Sequence, residues 1–320
     1  VKNTLKGLSF NILKNTVMKD MPSKLKRHLK QSLIDGGSKI EILPFLLTKI
    51  NGYVLPSYIL EEDLQSFASF KTLPSDVFIA SYPKSGILWL LEIVHSITKS
   101  KDTEKQDFPP IFELADNEQL ETLSSPRCML TNLPFALVPH HNEKNVKYIY
   151  IARNPRDVAV SQYHFFQEMP TFVSQSSKNT YTWAEFLAYF IKGEVPGGLY
   201  FDHVLEWWNH KEDTNVLFVK YEDMQKDLQG QVKIIAEFLG FQLSEQQIKT
   251  VAEKCTFPAM KLNPNPAIHK IPEFSKKGLR LRKGIVGDWK NYFSEQQLEQ
   301  FQQLYESCMN GTDLDFEFQM

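Results

Sequence analysis

The stretch Val77-Phe78-Ile79-Ala80-Ser81-Tyr82-Pro83-Lys84-Ser85-Gly86-Ile87-Leu88-Trp89 constrains the fold of this chain more than any other. Val77 to Ala80 is a short apolar run rich in β-formers, the pattern of a central parallel strand buried on both faces. Pro83 has no N–H to give to a ladder and closes the strand. Lys84-Ser85-Gly86 turns the backbone. From Ile87 to Ser100 the apolar residues Ile87, Leu90, Leu91, Val94 and Ile97 fall at helical spacing. A helix start presents backbone N–H groups and the positive end of the helix dipole, which together attract anions. Lys84 adds a charge, Ser85 a hydroxyl donor, and Gly86 a backbone that a phosphate can approach. Taken alone, the stretch also reads as an ordinary strand–loop–helix joint.

The plan recurs. Val146-Lys147-Tyr148-Ile149-Tyr150-Ile151-Ala152 reads as a strand running into Arg153-Asn154-Pro155-Arg156-Asp157, with a helix from Val158. Arg153 falls where a parallel strand ends, the place where open α/β sheets bind ligands. A surface ion pair with Asp157 is the alternative. Ser161, in the first turn or so of that helix, is aimed at the same anion. Further strands are predicted at 127–131 and 216–220, the latter followed by Tyr221-Glu222-Asp223. Helices are predicted at Trp183–Lys192, Tyr200–His210 and Gln231–Leu239, the last closed by Gly240. Capping boxes at Ser244/Gln247 and Ser294/Gln297 open two more. Arg282-Lys283-Gly284 before Gly287-Asp288-Trp289 is a third anion-friendly segment, or a solvated loop. Strands alternating with helices predict an α/β fold: one three-layer domain with a central, mainly parallel sheet flanked by helices, over residues 41–320.

Residues 1–40 stand apart. They carry nine Lys and Arg against two acids, a net of +7, which leaves −9 on the rest of a chain whose total is −2. This basic N-terminal extension reads as a solvated arm, or as an amphipathic segment that contacts a partner or an acidic surface. A processed targeting segment is a third reading. The total charge gives no argument for nucleic acid, and no apolar run approaches a transmembrane segment. Cys128, Cys255 and Cys308 are widely spaced and odd in number, which argues against a disulfide framework and for a reducing, cytoplasmic setting. No metal-binding signature is present.

Three motifs together resemble the cytosolic sulfotransferase family: Tyr82-Pro83-Lys84-Ser85-Gly86 with Trp89; Arg153-Asn154-Pro155-Arg156-Asp157 followed by Ser161 and Tyr163-His164-Phe165; and Arg282-Lys283-Gly284 before Gly287-Asp288-Trp289. Tyr221-Glu222-Asp223 and Phe257 with Met260 also match, so the resemblance covers roughly residues 46 to 310. It implies a P-loop-like fold and the co-substrate 3′-phosphoadenosine-5′-phosphosulfate (PAPS), with the bisphosphate PAP as product. By the same resemblance Lys84, Ser85, Gly86 and Trp89 cradle the 5′-phosphosulfate. Arg153 and Ser161 hold the 3′-phosphate, Tyr221 lies by the adenine, and Arg282, Lys283 and Gly284 return to the 3′-phosphate. The acceptor is implied to be a small hydrophobic molecule with a hydroxyl or amine. It would be enclosed by loops near 109–125, 164–181 and 257–281, where Phe112, Phe165, Phe166, Phe172 and Phe274 are pocket residues or loop anchors.

The chain departs from the family pattern on one side of the site. The two threonines usual after Lys-Ser-Gly are Ile87 and Leu88. The usual Lys-Thr-His-Leu-Pro is Leu130-Thr131-Asn132-Leu133-Pro134, so Asn132 stands where the family has its general base and Leu130 where it has a lysine. The family's adenine-contacting threonine is Cys255 here. An amide takes no proton near neutral pH, and general-base help is worth about 10²–10⁴-fold in rate. His140 and His141 are either substitute bases or surface residues; His164 is expected to be structural. Three functions therefore compete. The first is a sulfotransferase with weakened activity, in which Lys84 and the substituted position Asn132 mark the catalytic side. The second is a catalytically silent binder of PAP, PAPS or a small ligand. The third is an interaction scaffold using the basic arm. A homodimer is left open, since the family's dimer motif is not recognisable before Arg282.

Overall fold

Asn51-Gly52 closes an antiparallel hairpin of β1 (Leu47–Ile50) and β2 (Tyr53–Pro56). Helix α1 (Glu61–Ser69) follows, and then the central sheet begins with β3 (Val77–Ser81). In chain order come α2 (Ile87–Thr98), α3 (Asn117–Glu121), β4 (Cys128–Thr131), β5 (Lys147–Ala152), α4 (Pro155–Glu168), α5 (Trp183–Lys192) and α6 (Tyr200–Trp208). Then follow β6 (Val216–Lys220), α7 (Tyr221–Lys226), α8 (Leu228–Leu239), α9 (Glu245–Lys254), α10 (Phe257–Leu262) and α11 (Glu295–Met309). This computed structural model describes residues 47–98, 109–139, 146–168, 181–262 and 281–320. The basic extension 1–40 lies outside them, as do His140, His141, Phe172, Phe274 and the loop before Leu281.

The sheet is parallel throughout, in the order β4-β3-β5-β6. Its side chains alternate as a pleat requires. Phe78, Ala80, Tyr148 and Tyr150 point into one core with α4, α5, α6 and α11. Val77, Ile79, Ile149 and Ile151 point into a second core with α2, α8 and α9. Two cores on two faces make the three-layer α/β arrangement read from the sequence.

The order also places the site. From β3 the chain moves out to the edge strand β4, then returns across β3 to β5. The direction of winding reverses between β3 and β5, and ligands of such sheets sit outside the strand ends at that reversal. Ser81 pairs with Ile151 in the register, so the turn at Lys84 and the turn at Arg153 are neighbours.

Some boundaries differ from the sequence reading. Helix α4 starts at Pro155 rather than Val158. Asn154 Oδ1 accepts the Asp157 N–H (2.9 Å), an N-terminal cap, and Pro155 fits the first helical position because its missing N–H has no helical partner there. Ser161 is therefore in the second turn. Helix α8 starts at Leu228, not Gln231, because Asp227 caps it by accepting the Gly230 N–H (2.9 Å). Helix α6 ends at Trp208, two residues short of His210. The boxes at Ser244/Gln247 and Ser294/Gln297 are formed, and Gly240 takes the left-handed conformation after α8.

Candidate active site

A cavity of about 280 Å³ opens at the carboxyl ends of β3, β4 and β5. Lys84, Gly86 and Trp89 reach its wall from the first turn, Asn132 from just past β4, and Arg153 and Ser161 from the second turn and α4. Tyr221 comes from α7, and Arg282, Lys283 and Gly284 from the late loop. Segments hundreds of residues apart in sequence thus meet on one surface.

The first turn is tight. Lys84 has φ +74° and Gly86 φ +114°. A Cβ at Gly86 would stand 2.9 Å from Tyr221 Cδ2, so only glycine leaves this cradle open. The Lys84 ammonium lies 4.3 Å from the centroid of the Phe165 ring, a cation–π distance. Ser85 differs from its expected place on the wall. Its N–H closes the turn on the Tyr82 carbonyl (3.2 Å), its side chain is fully buried, and its Oγ has no hydrogen-bond partner among the described residues.

The second turn is stapled to the late loop. Arg153 is buried, and its guanidinium stacks 4.3 Å from the Tyr221 centroid. It donates from Nη2 to the Ile285 carbonyl (2.8 Å). Its partner Asp157 is 3.7 Å away, but both side chains are buried, so the pair is not the surface ion pair considered from sequence. Asp157 accepts from the N–H groups of Gly287 (2.8 Å) and Trp289 (3.0 Å). Glu222 accepts from the Asn154 N–H (2.8 Å) and fixes the start of α4; burial pushes its carboxyl up. Trp89 donates to the Cys255 carbonyl (2.7 Å) and packs edge-on against Tyr221. The Cys255 side chain is off the wall, near Ser96, with its thiol pushed up to about 12 by burial.

In the late loop, Asp288 accepts from Arg282 Nη1 (2.5 Å) and Lys283 Nζ (2.6 Å). Burial alone would raise its carboxyl, but hydrogen bonds from Lys283 and Arg282 hold it down at about 2. Gly284 packs on Phe257 so closely that a Cβ would stand 2.1 Å from the ring.

Much of the remaining wall is apolar. Leu55, Ile59, Leu114, Leu133, Phe165 and Phe166 line it together with Leu130, Ile87 and Leu88. Phe112 does not: it is a core anchor, 5.3 Å from Phe67, Phe70 and Phe78. The β2 side of the wall carried no signal in the sequence, being a hairpin with no motif. Asn132 donates from Nδ2 to the Ser81 carbonyl (2.8 Å) and from its backbone to Glu113 Oε1 (2.9 Å). Its own carbonyl accepts from His203 Nε2 (3.0 Å). His164 reaches the wall but bonds Tyr292 (2.6 Å).

The residues present fit a nucleotide with two phosphate groups. Four cations face the cavity, and Arg153 Nε and Arg282 Nε are buried donors without hydrogen-bond partners among the described residues. Such groups are costly unless an acceptor meets them.

The comparisons agree with this geometry. Residues 74–313 match the family model described as the sulfotransferase domain. Sulfotransferase 1B1 of the dog is 38% identical over 288 residues, covering 84% of this chain and 95% of that one. Human sulfotransferase 6B1 is 37% identical over 259 residues, covering 79% and 82%. The crystal structure of mouse sulfotransferase SULT7A1 complexed with PAP superposes with a TM-score of 0.71 at 36% identity, covering 84% and 95%. Retinol dehydratase, crystallised with retinol and PAP, gives 0.75 at 26% identity, covering 93% and 98%. The chain belongs to the sulfotransferase family.

Proposed function

We propose that the chain binds PAPS across the two basic turns and the late loop and transfers its sulfuryl group to a small apolar acceptor, leaving PAP. One observation carries this reading: Lys84, Arg153, Arg282 and Lys283 converge on a cavity whose remaining wall is largely apolar. The PAP held by relatives, and the retinol held by one of them, are ligands of the same two kinds. In this reading Arg153, Ser161, Arg282 and Lys283 hold the 3′-phosphate. Lys84 and the helix start at Ile87 face the 5′ side, where Ile87 and Leu88 supply backbone N–H groups only. The cation at Lys84 offsets charge that develops on the leaving phosphate. Alcohol acceptors turn over slowly, because Asn132 takes no proton and Leu130 adds no charge.

A silent nucleotide binder is the second reading, favoured by the clustering of Ile87, Leu88, Leu130 and Asn132 on the transfer side. Calorimetric titration with PAP tests the site common to both. Binding at micromolar Kd or tighter is expected. In Arg153→Ala it weakens about 10–100-fold, since a hydrogen bond to a charged group is worth about 1.5–3 kcal/mol. Absence of binding removes both readings. Turnover of PAPS over an acceptor panel then separates them.

A further inference from the structure

The segment after α11 has a period of two. Asp313, Asp315 and Glu317 alternate with Leu314 and Phe316, which are buried, and with Phe318, which packs against the same core. Each acid meets a lysine at or just beyond the end of an element. Asp313 pairs with Lys211 past α6 (3.0 Å), Asp315 with Lys220 at the end of β6 (2.9 Å), and Glu317 with Lys226 at the end of α7. The segment is a strap laid across three neighbouring elements. Exposed ion pairs contribute little one by one, so burial of the apolar side chains holds the strap and the ladder of pairs sets its register.

The strap ends on the late loop. The Phe318 carbonyl accepts the Trp289 indole N–H (2.7 Å), and Gln319 Oε1 accepts from Lys290 Nζ (2.6 Å). The Arg156 guanidinium lies 4.7 Å from the centroid of the Trp289 ring and 4.4 Å from that of Phe318, both cation–π distances. Its Nη2 donates to Gln302 Oε1 of α11 (2.7 Å). The Phe318 ring packs edge-on against Tyr305 of the same helix, 5.4 Å between centroids.

Trp289 follows Asp288, the acid that holds the wall residues Arg282 and Lys283. On the inner side Asp157 takes the N–H groups of Gly287 and Trp289. On the outer side the strap takes the Trp289 indole. Asp288 is thus pinned from two directions, although neither Trp289 nor Phe318 lines the cavity. A phosphate site built on two long cationic side chains binds more weakly when its backbone drifts, because the loop must then be ordered at the moment of binding.

We infer that Phe318 and the strap it belongs to are positioning elements of the nucleotide site: they hold Trp289, and through it Asp288, Arg282 and Lys283, in place for a 3′-phosphate. The inference rests on the nucleotide reading above and adds to it a segment that touches no ligand.

The test compares PAP with 5′-AMP, which has the same base, sugar and 5′-phosphate and lacks the 3′-phosphate. Both are titrated calorimetrically into the full chain. Trp289→Phe removes the donor to the Phe318 carbonyl, and Phe318→Ala removes the ring beside Arg156. Each should weaken PAP about tenfold, the scale of one hydrogen bond, and leave 5′-AMP within about twofold. Phe318→Tyr, which keeps the ring, should hold PAP within about twofold of the wild type. An unchanged PAP affinity in Trp289→Phe and Phe318→Ala overturns the inference. So does an equal loss for both ligands, which is what general damage to the fold produces. A wild type that binds PAP no better than 5′-AMP overturns the 3′-phosphate reading itself, and the inference with it. Where those variants do not fold, Asp313→Asn with Asp315→Asn and Glu317→Gln changes surface side chains alone. Hydrogen exchange at the Gly287 and Trp289 amides should then quicken at least about threefold, and unchanged rates overturn the inference.

Discussion

His203 donates from Nε2 to the backbone carbonyl of Asn132, 3.0 Å away. A carbonyl only accepts, so Nε2 carries the proton and Nδ1 is the acceptor for the Tyr150 hydroxyl at 3.0 Å. Tyr150 Oη in turn accepts the Tyr82 N–H at 3.2 Å. The protons of this buried relay are set by its two ends, and it ties the turn after β3 to the exit of β4.

Acid should loosen that relay. Burial holds the His203 ring down at about 4, below its ordinary 6.5. Its contribution is complete above pH 6.5. As pH falls from 6.5 towards 4 the unfolded chain takes up a proton that the folded chain refuses, and about 3 kcal/mol of stability is lost. Urea unfolding at pH 7.5, 6 and 4.5 measures the slope. His203→Gln, which keeps a donor to Asn132, should be less stable at pH 7.5 and show a shallower slope.

Restoring the family residues on the transfer side should raise turnover of alcohols. In Asn132→His with Leu130→Lys, kcat for a hydroxyl acceptor is expected to rise about 10²-fold, the low end of general-base assistance. PAP affinity should stay within about threefold, because neither position is among the residues proposed to hold the 3′-phosphate. Steady-state kinetics with 1-naphthol and PAPS decide it; a kcat equal to that of the wild type would sink the idea.

Gly284 has φ +67°, and a Cβ there meets Phe257 Cδ2 at 2.1 Å. Forcing a non-glycine residue into that region costs about 1–3 kcal/mol before any overlap is counted. Gly284→Ala should therefore shift the late loop and weaken PAP about tenfold or more. Adding Phe257→Leu should recover part of the loss by removing the overlap but not the backbone strain. Calorimetry on the single and double variants separates the two effects.

Asp288 is ionised and buried between Arg282 and Lys283. Breaking a buried ion pair typically costs about 3–5 kcal/mol; here both cations are partly exposed, which lowers the expectation to about 2 kcal/mol. Asp288→Asn should lose that amount at pH 7, read by urea unfolding. The wild type should lose the same contribution as pH falls from 3.8 towards 2, because its carboxyl is held below the ordinary value. The variant should show a flatter profile over that range.

The strands at Val77, Val146 and Val216 were legible because continuous apolar runs bounded by Pro83, Pro155 and Glu222 fit a doubly covered parallel sheet. The wall residues Lys84, Arg153 and Arg282 were legible for a related reason: turns after such strands are where charged motifs cluster. What stayed hidden is tertiary. Asn154 and Asp227 act as caps only through side-chain geometry, so the two helices they open were read as starting three residues late. Asp157 looked like half of a surface ion pair until burial showed it holding donors from a distant segment. Glu113 sits in a loop with no motif, and its relation to Asn132 depends on how that loop packs beside β4. Phe112 had a pocket's composition but turned to the core.

Asp157 joins its own helix start to backbone N–H groups 130 and 132 positions later in the chain. A ribosome delivers the strand ends of β3 and β5 long before it delivers Gly287. During synthesis the emerging domain can build its sheet and bury the core on the α2, α8 and α9 face while the proposed anion site is still open on one side. The closing segment arrives late. A chain cut short before Arg282 would keep the core on one face of its sheet, lose part of the other, and have little hold on a nucleotide.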